Sequence, residues 1–414
     1  MRQGWEIANL GEVCEMINRG IAPKYIDDGG ICVINQKCIR NHTINTALAR
    51  RHDPAVKPIN SERYIQVGDV LINSTGTGTL GRVAQVRKEL NEPTTVDTHV
   101  TIVRPHSGRF FNDFFGYMLV RIEDEIASSG EGASGQTELA RSAIAEKFKV
   151  SFPSSISEQE LIVSIVDQAF EGIDRAIANT KKNLANAREL FEGYLNTIFT
   201  QEGEGWIEKN LGETCYFSQG IQVELKFQSE TFKNGTEVRF LRIVDFTQGN
   251  VAPRYIENPG DKYIVNENDI SLVRYGASTG FVCRGLNGAI ANNLFKVIPS
   301  EDSLLNGYLY YFLCSPAFQN RIKSVISGAA MPAISFGLIK NIKVLLPSGF
   351  KQGEIVKMLD VIRYETQRLE AIYQQKLAAL NELKQSILQK AFTGELTADT
   401  ANQTTKKAEE AIAA

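Results

Sequence analysis

Gly4-Trp-Glu-Ile-Ala-Asn-Leu-Gly-Glu-Val-Cys14 opens the chain, and the same pattern returns later as Gly205-Trp-Ile-Glu-Lys-Asn-Leu-Gly-Glu-Thr-Cys215. The two stretches share the Gly-Trp pair, the Asn-Leu-Gly-Glu run and the final cysteine at identical spacing. Self-similarity at a fixed period has to be identified before single elements are assigned, because it fixes the architecture of the whole chain. The sequence therefore predicts a duplicated domain.

Later elements recur in the same order. Val67-Gly-Asp-Val-Leu-Ile72 corresponds to Glu267-Asn-Asp-Ile-Ser-Leu272, and a glycine turn follows each of them. Phe152-Pro-Ser154 and Leu346-Pro-Ser348 each precede a long run of helix-forming residues. The period of about 195 residues is far above the roughly 20–50 residues of solenoid repeats, so the pattern indicates two large domains rather than an array.

Each half begins with short β-branched runs that Gly, Asn and Pro interrupt, which is typical of strands and turns. The predicted strands are Ile31–Ile34, Val83–Val86, Val100–Val103, Glu237–Arg242 and Leu294–Ile298. Short helices are expected at Asp113–Ile126 and Gly307–Ile322. The predicted fold class is α+β, with two repeated mixed α/β domains separated by two long antiparallel coiled-coil helices.

Each half closes on a helix of about 40 residues, longer than the usual 8–20. Ser157 and Glu160 have the spacing of a capping box, which predicts the start of the first helix. Apolar residues recur in steps of three and four, which indicates a coiled-coil seam on each helix. The first helix is richer in Asp and Glu and the second in Lys and Arg, so the flanking charges favour their pairing.

These features divide the chain into five expected segments: a first domain at 1–153, a first spacer helix at 154–203, a second domain at 204–349, a second spacer helix at 350–396 and a flexible tail at 397–414. At 1.5 Å rise per residue, a helix of 40 residues is about 60 Å long and projects from a small domain. We therefore expect the helices to act as a ruler between the two domains.

Composition indicates a globular chain, with 43% hydrophobic and 22% charged residues in 414. Six cysteines without a Cys-x-x-Cys pair are typical of reduced, mostly buried thiols, and the N-terminus lacks a signal-peptide pattern. We expect a cytoplasmic protein without a membrane segment. Cys32, Cys38, His42 and His52 match no standard zinc spacing, so scattered residues are favoured over a metal site.

Taken together, these motifs resemble the specificity subunits of type I restriction-modification systems. The resemblance covers nearly the whole chain and rests on the Gly-Trp and Leu-Gly-Glu openings, the Val67–Ile72 element, the helix entries at Pro153–Ile162 and Pro347–Ile355, and Gln389–Leu396. The second half departs from it at Glu267-Asn268 and at Lys351, where the first half has Val67-Gly68 and Glu158. These departures concern local turns.

The resemblance implies a chain without chemistry of its own, whose two domains each bind one half of a split double-stranded DNA target. It also implies that the helices recruit two methyltransferase subunits and a restriction/translocase subunit. S-adenosylmethionine and ATP would be bound by those partners, so no cofactor is expected in this chain.

A separate search for catalytic motifs agrees with this expectation. The sequence has no Walker-type phosphate loop, no (Asn/Asp)-Pro-Pro-Tyr element and no His-Glu-x-x-His. Gly76-Thr-Gly-Thr-Leu-Gly81 fits the dinucleotide-binding pattern, but a β-rich run follows it where a helix is required. A glycine turn in a hairpin is the favoured interpretation.

Base readout requires Arg, Lys, Asn or Gln at base edges, with Ser, Thr and backbone amides on phosphates. Candidate DNA-binding residues are Asn35, Gln36, Lys37, Arg40, Thr75, Gly76, Arg82, Gln136, Arg239, Arg242, Arg254, Arg274 and Tyr275, and the loops at 129–136 and 327–332 could also face DNA. Candidate partner-binding residues on the helices are Ile162, Val166, Ile173, Phe191, Ile355, Leu359, Leu369 and Leu383.

The net charge of −3 counts against a protein that binds nucleic acid mainly through phosphates. It keeps open an alternative of another class, a coiled-coil scaffold with duplicated protein-binding domains. Sequence-selective retention of duplex DNA in the presence of partners separates the two hypotheses.

Overall fold

The computed structural model describes residues 4–130, 138–233, 235–300, 303–326 and 333–397. The chain forms two compact units, unit 1 from 1–179 and 376–414 and unit 2 from 180–375. In the described ranges, every helix is too short or too polar to cross a membrane.

The described residues in the globular part of unit 1 form twelve strands and four short α-helices. The strands are β1 (Trp5–Asn9), β2 (Cys14–Arg19), β3 (Tyr25–Ile26), β4 (Ile31–Ile34), β5 (Ile39–Arg40), β6 (Thr43–Ile44), β7 (Arg50–His52), β8 (Val70–Asn73), β9 (Val83–Gln85), β10 (Thr94–Val96), β11 (Val100–Pro105) and β12 (Lys149–Pro153). The helices are α1 (Leu10–Val13), α2 (Asn112–Arg121), α3 (Glu123–Ser128) and α4 (Arg141–Glu146), with 3-10 turns at Thr46–Leu48 and Ser61–Arg63.

After the long helix α5 (Ile156–Thr200), unit 2 repeats this order of elements. Its strands are β13 (Ile207–Asn210), β14 (Cys215–Gln219), β15 (Glu237–Leu241), β16 (Arg254–Glu257), β17 (Ile264–Val265), β18 (Ile270–Val273), β19 (Val282–Cys283), β20 (Gly288–Ile290), β21 (Leu294–Pro299) and β22 (Lys343–Leu346). Its helices are α6 (Leu211–Thr214), α7 (Ile243–Thr247), α8 (Asn306–Cys314), α9 (Pro316–Ile326), α10 (Phe336–Lys340) and the long α11 (Gly349–Thr393), with 3-10 turns at Leu225–Phe227 and Asp261–Tyr263.

Strand order confirms the duplication. One sheet has the order β2-β11-β8-β9 in unit 1 and β14-β21-β18-β19 in unit 2, and two-stranded sheets β1-β12 and β13-β22 also correspond. In the third sheet, β4 pairs in parallel with β10, as β15 does with β20. The predicted strands and short helices are confirmed, although each predicted helix is broken, after Arg121 and after Cys314.

The repeated Asn-Leu-Gly-Glu run has a packing reason at every position. The Glu12 carboxylate accepts a hydrogen bond from the Asn9 backbone at 2.7 Å, and Glu213 accepts one from Asn210 at 2.6 Å. Leu10 and Leu211 are fully buried. A Cβ on Gly11 would lie 3.0 Å from Ala145, and one on Gly212 would lie 2.9 Å from Lys340. The opening motif is therefore a capped turn packed against the end of its own domain.

Both long helices begin just after a proline–serine pair: α5 starts two residues after Pro153-Ser154, and α11 starts directly after Pro347-Ser348. Ser155 Oγ accepts from the Glu158 backbone and Ser348 Oγ from the Lys351 backbone, each at 3.4 Å. The predicted cap at Ser157 is therefore wrong, because Ser157 already lies inside α5. The spacing in the sequence fits a cap at Ser155 as well as at Ser157. In the structure, Ser155 is the residue that caps α5 after β12.

A buried glutamine in the first turn ties each helix to its domain. Gln159 Oε1 accepts from the Phe111 backbone at 2.8 Å, and Gln352 Oε1 accepts from the Leu305 backbone at 2.9 Å. Their amide groups donate to the carbonyls of Pro153 and Pro347. Because both glutamines are buried and bonded on both sides, the helix entries of the two units have the same geometry.

α5 and α11 pack against each other in antiparallel order. In unit 1, Asp174 of α5 contacts Lys384 of α11. In unit 2, Arg188 lies further along α5 and contacts Glu370, which lies earlier on α11, at 2.9 Å. One residue number rises as the other falls, so the predicted antiparallel pairing is confirmed.

The ends of both helices belong to the domain cores. The core of unit 1 includes Ile162 and Val166 from α5 and Leu388 and Phe392 from α11. The core of unit 2 includes Leu195 and Phe199 from α5 and Ile355 and Leu359 from α11. Thr397, which the sequence assigned to the start of the tail, is buried and donates to Glu158 Oε1 at 3.2 Å. Residues 398–414 lie outside the described part of the chain.

The glycine-rich stretch between β8 and β9 is a hairpin turn, as predicted. β8 pairs antiparallel with β9, and Gly76, Gly78 and Gly81 all have positive φ. The turn near Gly68 differs between the units, because Gly68 has a φ of 97° whereas Asn268 is not among the positive-φ residues. The departure at Asn268 is thus a local change of turn.

Candidate nucleic-acid interface

Three turns meet at one edge of each unit. In unit 1, the Gly20 backbone donates to Val100 O at 3.0 Å and the Ser74 backbone donates to His99 O at 2.8 Å. In unit 2, Gly220 donates to Leu294 O at 3.0 Å and Arg274 to Asn293 O at 2.8 Å. These bonds bring together the ends of β2, β8 and β10, and the ends of β14, β18 and β20. We call this the reading edge of each unit.

Gly20 and Gly220 fix the reading edge because neither leaves room for a side chain. A Cβ on Gly20 would lie 2.0 Å from Val96 O, and a Cβ on Gly220 would lie 2.2 Å from Ala291 O. Real Cβ atoms do not approach backbone oxygens this closely, so the two glycines permit a close crossing of the chain. The scaffold of the reading edge is therefore the same in both units.

A cleft of about 500 Å³ lies at the reading edge of unit 1. It is lined by Tyr25, Asn35, Gln36, Lys37, Leu48, Arg50, Asp97 and His99. The Arg50 guanidinium lies 3.3 Å from the centroid of the Tyr25 ring. Burial raises the pKa of Asp97, although the backbone N–H of His99 partly offsets this by donating to its carboxylate at 2.9 Å. The cleft thus combines cationic donors, an aromatic face and a buried carboxyl group.

A smaller cleft of about 250 Å³ adjoins the first and shares Gln36 and His99 with it. Its other lining residues are Arg19, Thr75, Gly76, Thr98 and Glu138. The Thr75 hydroxyl and His99 Nδ1 are 2.7 Å apart, and the Arg19 guanidinium donates to Leu139 O at 2.8 Å. Donors and acceptors therefore line the edge on both sides of His99.

The reading edge of unit 2 carries different side chains at the corresponding positions. The strand registers match Arg19 with Gln219, Arg50 with Arg254 and Thr101 with Phe295, so Thr98 and His99 correspond to Asn292 and Asn293. Gln219 donates to Asn292 O at 3.1 Å. Asn292 in turn donates to Gln222 Oε1 at 3.2 Å. One scaffold thus presents Thr and His in unit 1 and two asparagines in unit 2.

The residues of unit 1 that the sequence predicted to contact DNA fall into two groups. Gln36, Lys37, Thr75 and Gly76 line the two clefts, and Lys37 is exposed. Asn35 also lines the larger cleft, but it donates to Leu48 O at 3.0 Å and accepts from the Lys37 backbone at 2.9 Å. Its amide therefore shapes the loop.

Two other predicted readers of unit 1 lie outside the clefts. Arg40 is exposed but is not a lining residue of either cleft. The Arg82 guanidinium donates to Gly78 O at 2.9 Å, which closes the β8–β9 turn. Arg40 and Arg82 therefore remain candidates for contacts with the DNA backbone only.

In unit 2, three of the four predicted arginines contact carboxylates. Arg239 and Arg242 both contact Asp245, at 3.1 and 2.9 Å, and Arg254 contacts Glu230 at 2.9 Å. Burial alone would raise the pKa of Asp245, but hydrogen bonds from Arg242 and Arg239 outweigh it and lower the pKa. Arg239 and Arg242 therefore stabilise the turn that begins α7.

Arg274 and Tyr275 lie on the reading edge itself. The Arg274 guanidinium lies 5.5 Å from the centroid of the Phe336 ring, and Tyr275 forms a β-bridge with Ala333. Gln136 lies outside the described residues, as do 131–137 and 327–332, which hold most of the two loops that the sequence placed near DNA.

Sequence reasoning missed several residues that the edge brings together, namely Arg19, Tyr25, Thr98, His99, Gln219, Asn292 and Asn293. A signal for them exists in the repeat. Arg19 and Gln219 each precede the crowded glycine, and His99 and Asn293 each precede the central strand of the sheet. Aligning the halves strand by strand would have placed them together.

Most of the seam residues proposed as partner contacts are buried within the chain's own fold. Ile162, Val166, Ile173, Ile355 and Leu359 are between 0% and 7% exposed, and Phe191 packs partly buried on the core of unit 2. A side chain buried within its own fold cannot contact a partner. Leu369 and Leu383, at 41% and 47% exposed, are available.

An exposed apolar stripe on α11 accompanies Leu369. Its members in unit 2 are Met358, Val361, Tyr364, Leu369 and Ile372, with exposed fractions from 41% to 66%. Their spacing of three to five residues places them on one broad side of the helix. We call these five residues the α11 stripe.

The buried cysteines pack as neutral side chains. Two histidines of the zinc candidate, His42 and His52, contact other protein groups. Burial raises the pKa of Cys215 and Cys283 to about 12, so both are neutral core side chains, as the prediction of buried thiols requires. His52 accepts from the Lys24 backbone at 2.8 Å, and His42 contacts Glu123. Over the ranges that the structure describes, no group of three potential metal ligands occurs.

Comparison with known proteins places both halves in one family model. Residues 2–186 and 203–379 each match the type I restriction modification DNA specificity domain. The chain is 24% identical to the type I restriction enzyme EcoKI specificity subunit of Escherichia coli (strain K12), in an alignment that covers 96% of this chain and 90% of that protein. It is also 24% identical to the StySPI specificity subunit of Salmonella potsdam, with the same coverage.

A shorter alignment with the EcoBI specificity subunit of Escherichia coli has 28% identity and covers 47% of this chain and 43% of that relative. The alignment with the MjaVIII specificity subunit of Methanocaldococcus jannaschii covers 34% of that relative. This chain thus aligns with less than half the length of these two relatives.

Two solved structures share the fold. One, from a study of complex assembly and conformational transition of the type I R-M system, has a TM-score of 0.77 at 19% identity and covers 95% of this chain and 99% of that chain. The HsdS subunit from Thermoanaerobacter tengcongensis has a TM-score of 0.54 at 21% identity and covers 95% and 98%. At these identities the similarity concerns the fold alone.

Proposed function

The chain belongs to the type I restriction-modification DNA specificity family and has two target-recognition domains, and from this premise we propose that each domain reads one half of a split double-stranded DNA target. The observation that carries the proposal is the pair of reading edges, which place different side chains on one scaffold. Two similar domains with different reading groups suit a target whose two halves differ in sequence.

The chemistry of the edges suits DNA. Gln36, Lys37 and His99 in unit 1, and Gln222 and Asn292 in unit 2, belong to the residue types that form hydrogen bonds with base edges. Arg50 lines the larger cleft of unit 1, where a cation can pair with a phosphate, whereas Arg254 at the matched position of unit 2 contacts Glu230. The net charge of −3 then requires the phosphate contacts to be local or shared with partners.

We further propose that the chain recruits two methyltransferase subunits and a restriction/translocase subunit, and that S-adenosylmethionine and ATP are bound by those partners. The chain itself would contribute recognition and no catalytic group. The α11 stripe supports recruitment, because a contiguous exposed apolar surface is typical of a protein–protein contact.

Methylation sequencing tests the reading function. DNA from cells that carry this chain with its cognate methyltransferase is expected to show modification at one motif made of two short specific parts separated by an unread spacer. The matched control is the same cell with the methyltransferase alone. Modification that does not depend on this chain, together with partner binding but no sequence-selective DNA retention, would favour the protein-binding scaffold instead.

A charge placed in the α11 stripe tests recruitment. Val361, which is 64% exposed, can be changed to Asp without disturbing the domain core. We expect V361D to lower the amount of methyltransferase that copurifies with the tagged chain by at least about tenfold, because a buried unpaired charge costs several kcal/mol. The thermal unfolding midpoint should stay close to that of the unmodified chain.

Gln367→Asp is the matched control for this variant. Gln367 is exposed on the same helix, about 120° around the axis from Val361 at 100° per residue. The Gln367→Asp variant adds the same charge outside the α11 stripe and should leave the amount of copurified methyltransferase unchanged. Full recovery of the methyltransferase with V361D would show that the stripe is not the contact surface.

A further inference from the structure

Unit 2 contains a cleft of about 490 Å³ that lies away from its reading edge. Its lining includes Asn268, Phe281, Arg284, Tyr310 and Arg363. Arg284 directly follows β19, whereas the Arg274–Gly276 turn of the reading edge lies at the other end of the β18–β19 hairpin. The next residue, Gly285, donates to Glu267 O at 2.9 Å, which closes the end of the sheet remote from the reading edge.

Two arginines converge on one tyrosine in this cleft. The guanidinium carbons of Arg284 and Arg363 each lie 5.0 Å from the centroid of the Tyr310 ring, so they are no farther apart than twice that distance. Arg363 also donates to the Tyr310 hydroxyl at 2.6 Å. Ring and hydroxyl together hold the Arg363 side chain in place, and the Tyr311 hydroxyl also interacts with its guanidinium.

The positive charge of the pair is not neutralised by the protein. Within the described ranges, no carboxylate oxygen lies within 4.0 Å of either guanidinium, and Arg284 has a long polar contact to Asn268 Oδ1 at 3.4 Å. Glu267 lines the cleft, but its carboxylate stays beyond that distance. In contrast, Arg239, Arg242 and Arg254 of the same unit each contact a carboxylate.

Tyr310 does not compensate the charge either. Burial, which is the largest effect, raises its pKa to about 12, so the phenol is neutral near pH 7. The cleft is therefore lined by two cations that both contact one neutral aromatic ring. A guanidinium has five N–H donors in a planar arrangement that matches the oxygens of a phosphate group.

The first unit shows that the fold does not require this arrangement. Strand register places Gln85 where unit 2 has Arg284, and the starts of α2 and α8 place Gly116 where unit 2 has Tyr310. Counting from the buried glutamine of each long helix, Phe170 takes the place of Arg363. Gln85 packs so closely on Gly116 that a Cβ there would lie 2.1 Å from Gln85 Oε1.

Unit 1 thus fills the space that unit 2 leaves open. Phe170 packs edge-on against Tyr117 at 5.7 Å, and Arg87, the cation near that ring, has Asp113 at 3.7 Å. Two copies of one fold therefore differ at three matched positions, and only the second combines an open cleft with unpaired cations. Packing alone does not explain the difference, since the uncharged arrangement of Gln85, Gly116 and Phe170 in unit 1 is available to the fold.

We propose that the cleft of Arg284, Tyr310 and Arg363 binds a phosphate group. The guanidiniums of Arg284 and Arg363, which have no carboxylate partner in the described residues, bind its oxygens. The ring of Phe281, which is 43% exposed and lines the cleft, gives an apolar surface beside them. The phosphate comes from a DNA backbone or from a free nucleotide, and both sources have the same anionic group. The assignment of this phosphate to a DNA backbone rests on the proposed function.

The test uses the full chain and three variants. Arg284→Gln introduces the residue that unit 1 has at this position, and Arg363→Gln removes the second cation. Arg368→Gln is the control, since Arg368 is an exposed arginine of the same helix that pairs with Glu365 and lies outside the cleft. Circular dichroism melting confirms that each variant is folded, and R284Q carries the test if R363Q is unstable.

The probes are adenosine monophosphate, followed by calorimetry, and a duplex of about 20 base pairs, followed by fluorescence anisotropy at several salt concentrations. If the cleft binds a free nucleotide, adenosine monophosphate binds the unmodified chain and R368Q, whereas adenosine does not bind. R284Q and R363Q then lose at least tenfold in affinity for the monophosphate. If it binds the DNA backbone, the slope of log K against log salt falls by about one for each variant of the cleft.

The proposal is overturned if the two cleft variants match R368Q with both probes. Methylation sequencing, which reports target reading, is measured on the same variants. An unchanged split motif with altered phosphate binding separates this site from the reading function. Absence of a split motif with the unmodified chain would count against the proposed function and not against the cleft.

Discussion

Exchange of residues 20–150 for the corresponding segment of a relative with another target is expected to change one half of the methylated motif and to leave the other half intact. The segment begins at the crowded Gly20 and ends at Val150 in β12, so it carries the reading edge of unit 1 except for Arg19, which directly precedes it. The opening strand β1 and both long helices stay unchanged. Each unit has its own hydrophobic core, so the exchange does not disturb the packing of the other unit.

The expected effect is large, because each mismatched base pair costs about 1–3 kcal/mol and these costs are roughly additive. Several changed base pairs in one half-site should reduce methylation of the original target by orders of magnitude. Methylation sequencing reads both halves in one experiment.

The reciprocal exchange is the matched control. Residues 220–344 begin at Gly220 and end at Val344, which correspond by strand register to Gly20 and Val150. This exchange should change only the other half of the motif. A single exchange that altered both halves would show that the two domains do not read independently.

Lengthening both long helices by four residues is expected to widen the unread spacer by one or two base pairs without changing either half-site. Four residues add about 6 Å at 1.5 Å rise per residue, and they are close to a full turn, so the apolar seam is nearly preserved. That length matches nearly two base pairs at about 3.4 Å each. Methylation sequencing of the variant measures the spacer directly.

The positions of the insertions follow from the packing. The sequence alone predicts that an insertion after Phe199 would suffice, because the first helix ends there. In the structure, Leu195 and Phe199 are anchored in the core of unit 2, and Leu388 and Phe392 in the core of unit 1. The added residues must therefore lie between the anchors, after Lys182 in α5 and after Gln375 in α11.

The two points correspond in the antiparallel register that the Asp174–Lys384 and Arg188–Glu370 contacts define. The same four residues inserted only after Phe199 are the control. They follow the last buried anchor of α5 and should leave the spacer unchanged. If the double insertion supported full methylation at the original spacer, the helices would not set the distance.

The sequence by itself determined the duplication, the α+β class, the strand runs and the two long helices. The Asn-Leu-Gly-Glu repeat could be recognised because each of its residues has a local or nearest-neighbour role: Glu12 and Glu213 cap, Leu10 and Leu211 fill the core, and Gly11 and Gly212 allow close approach. Helix pairing was also predictable, since apolar periodicity is a property of a single element.

Only the tertiary structure decided which residues form the reading edges. His99 and Asn293 lie close to Gly20 and Gly220 because strands distant in sequence are neighbours in the sheet. Arginine content alone pointed to Arg239 and Arg242, yet both contact the one carboxylate of Asp245, which holds them at the turn that begins α7. Likewise, the seams of α5 and α11 were visible in the sequence. That their ends are part of the two domain cores depends on which surfaces the folded chain brings together.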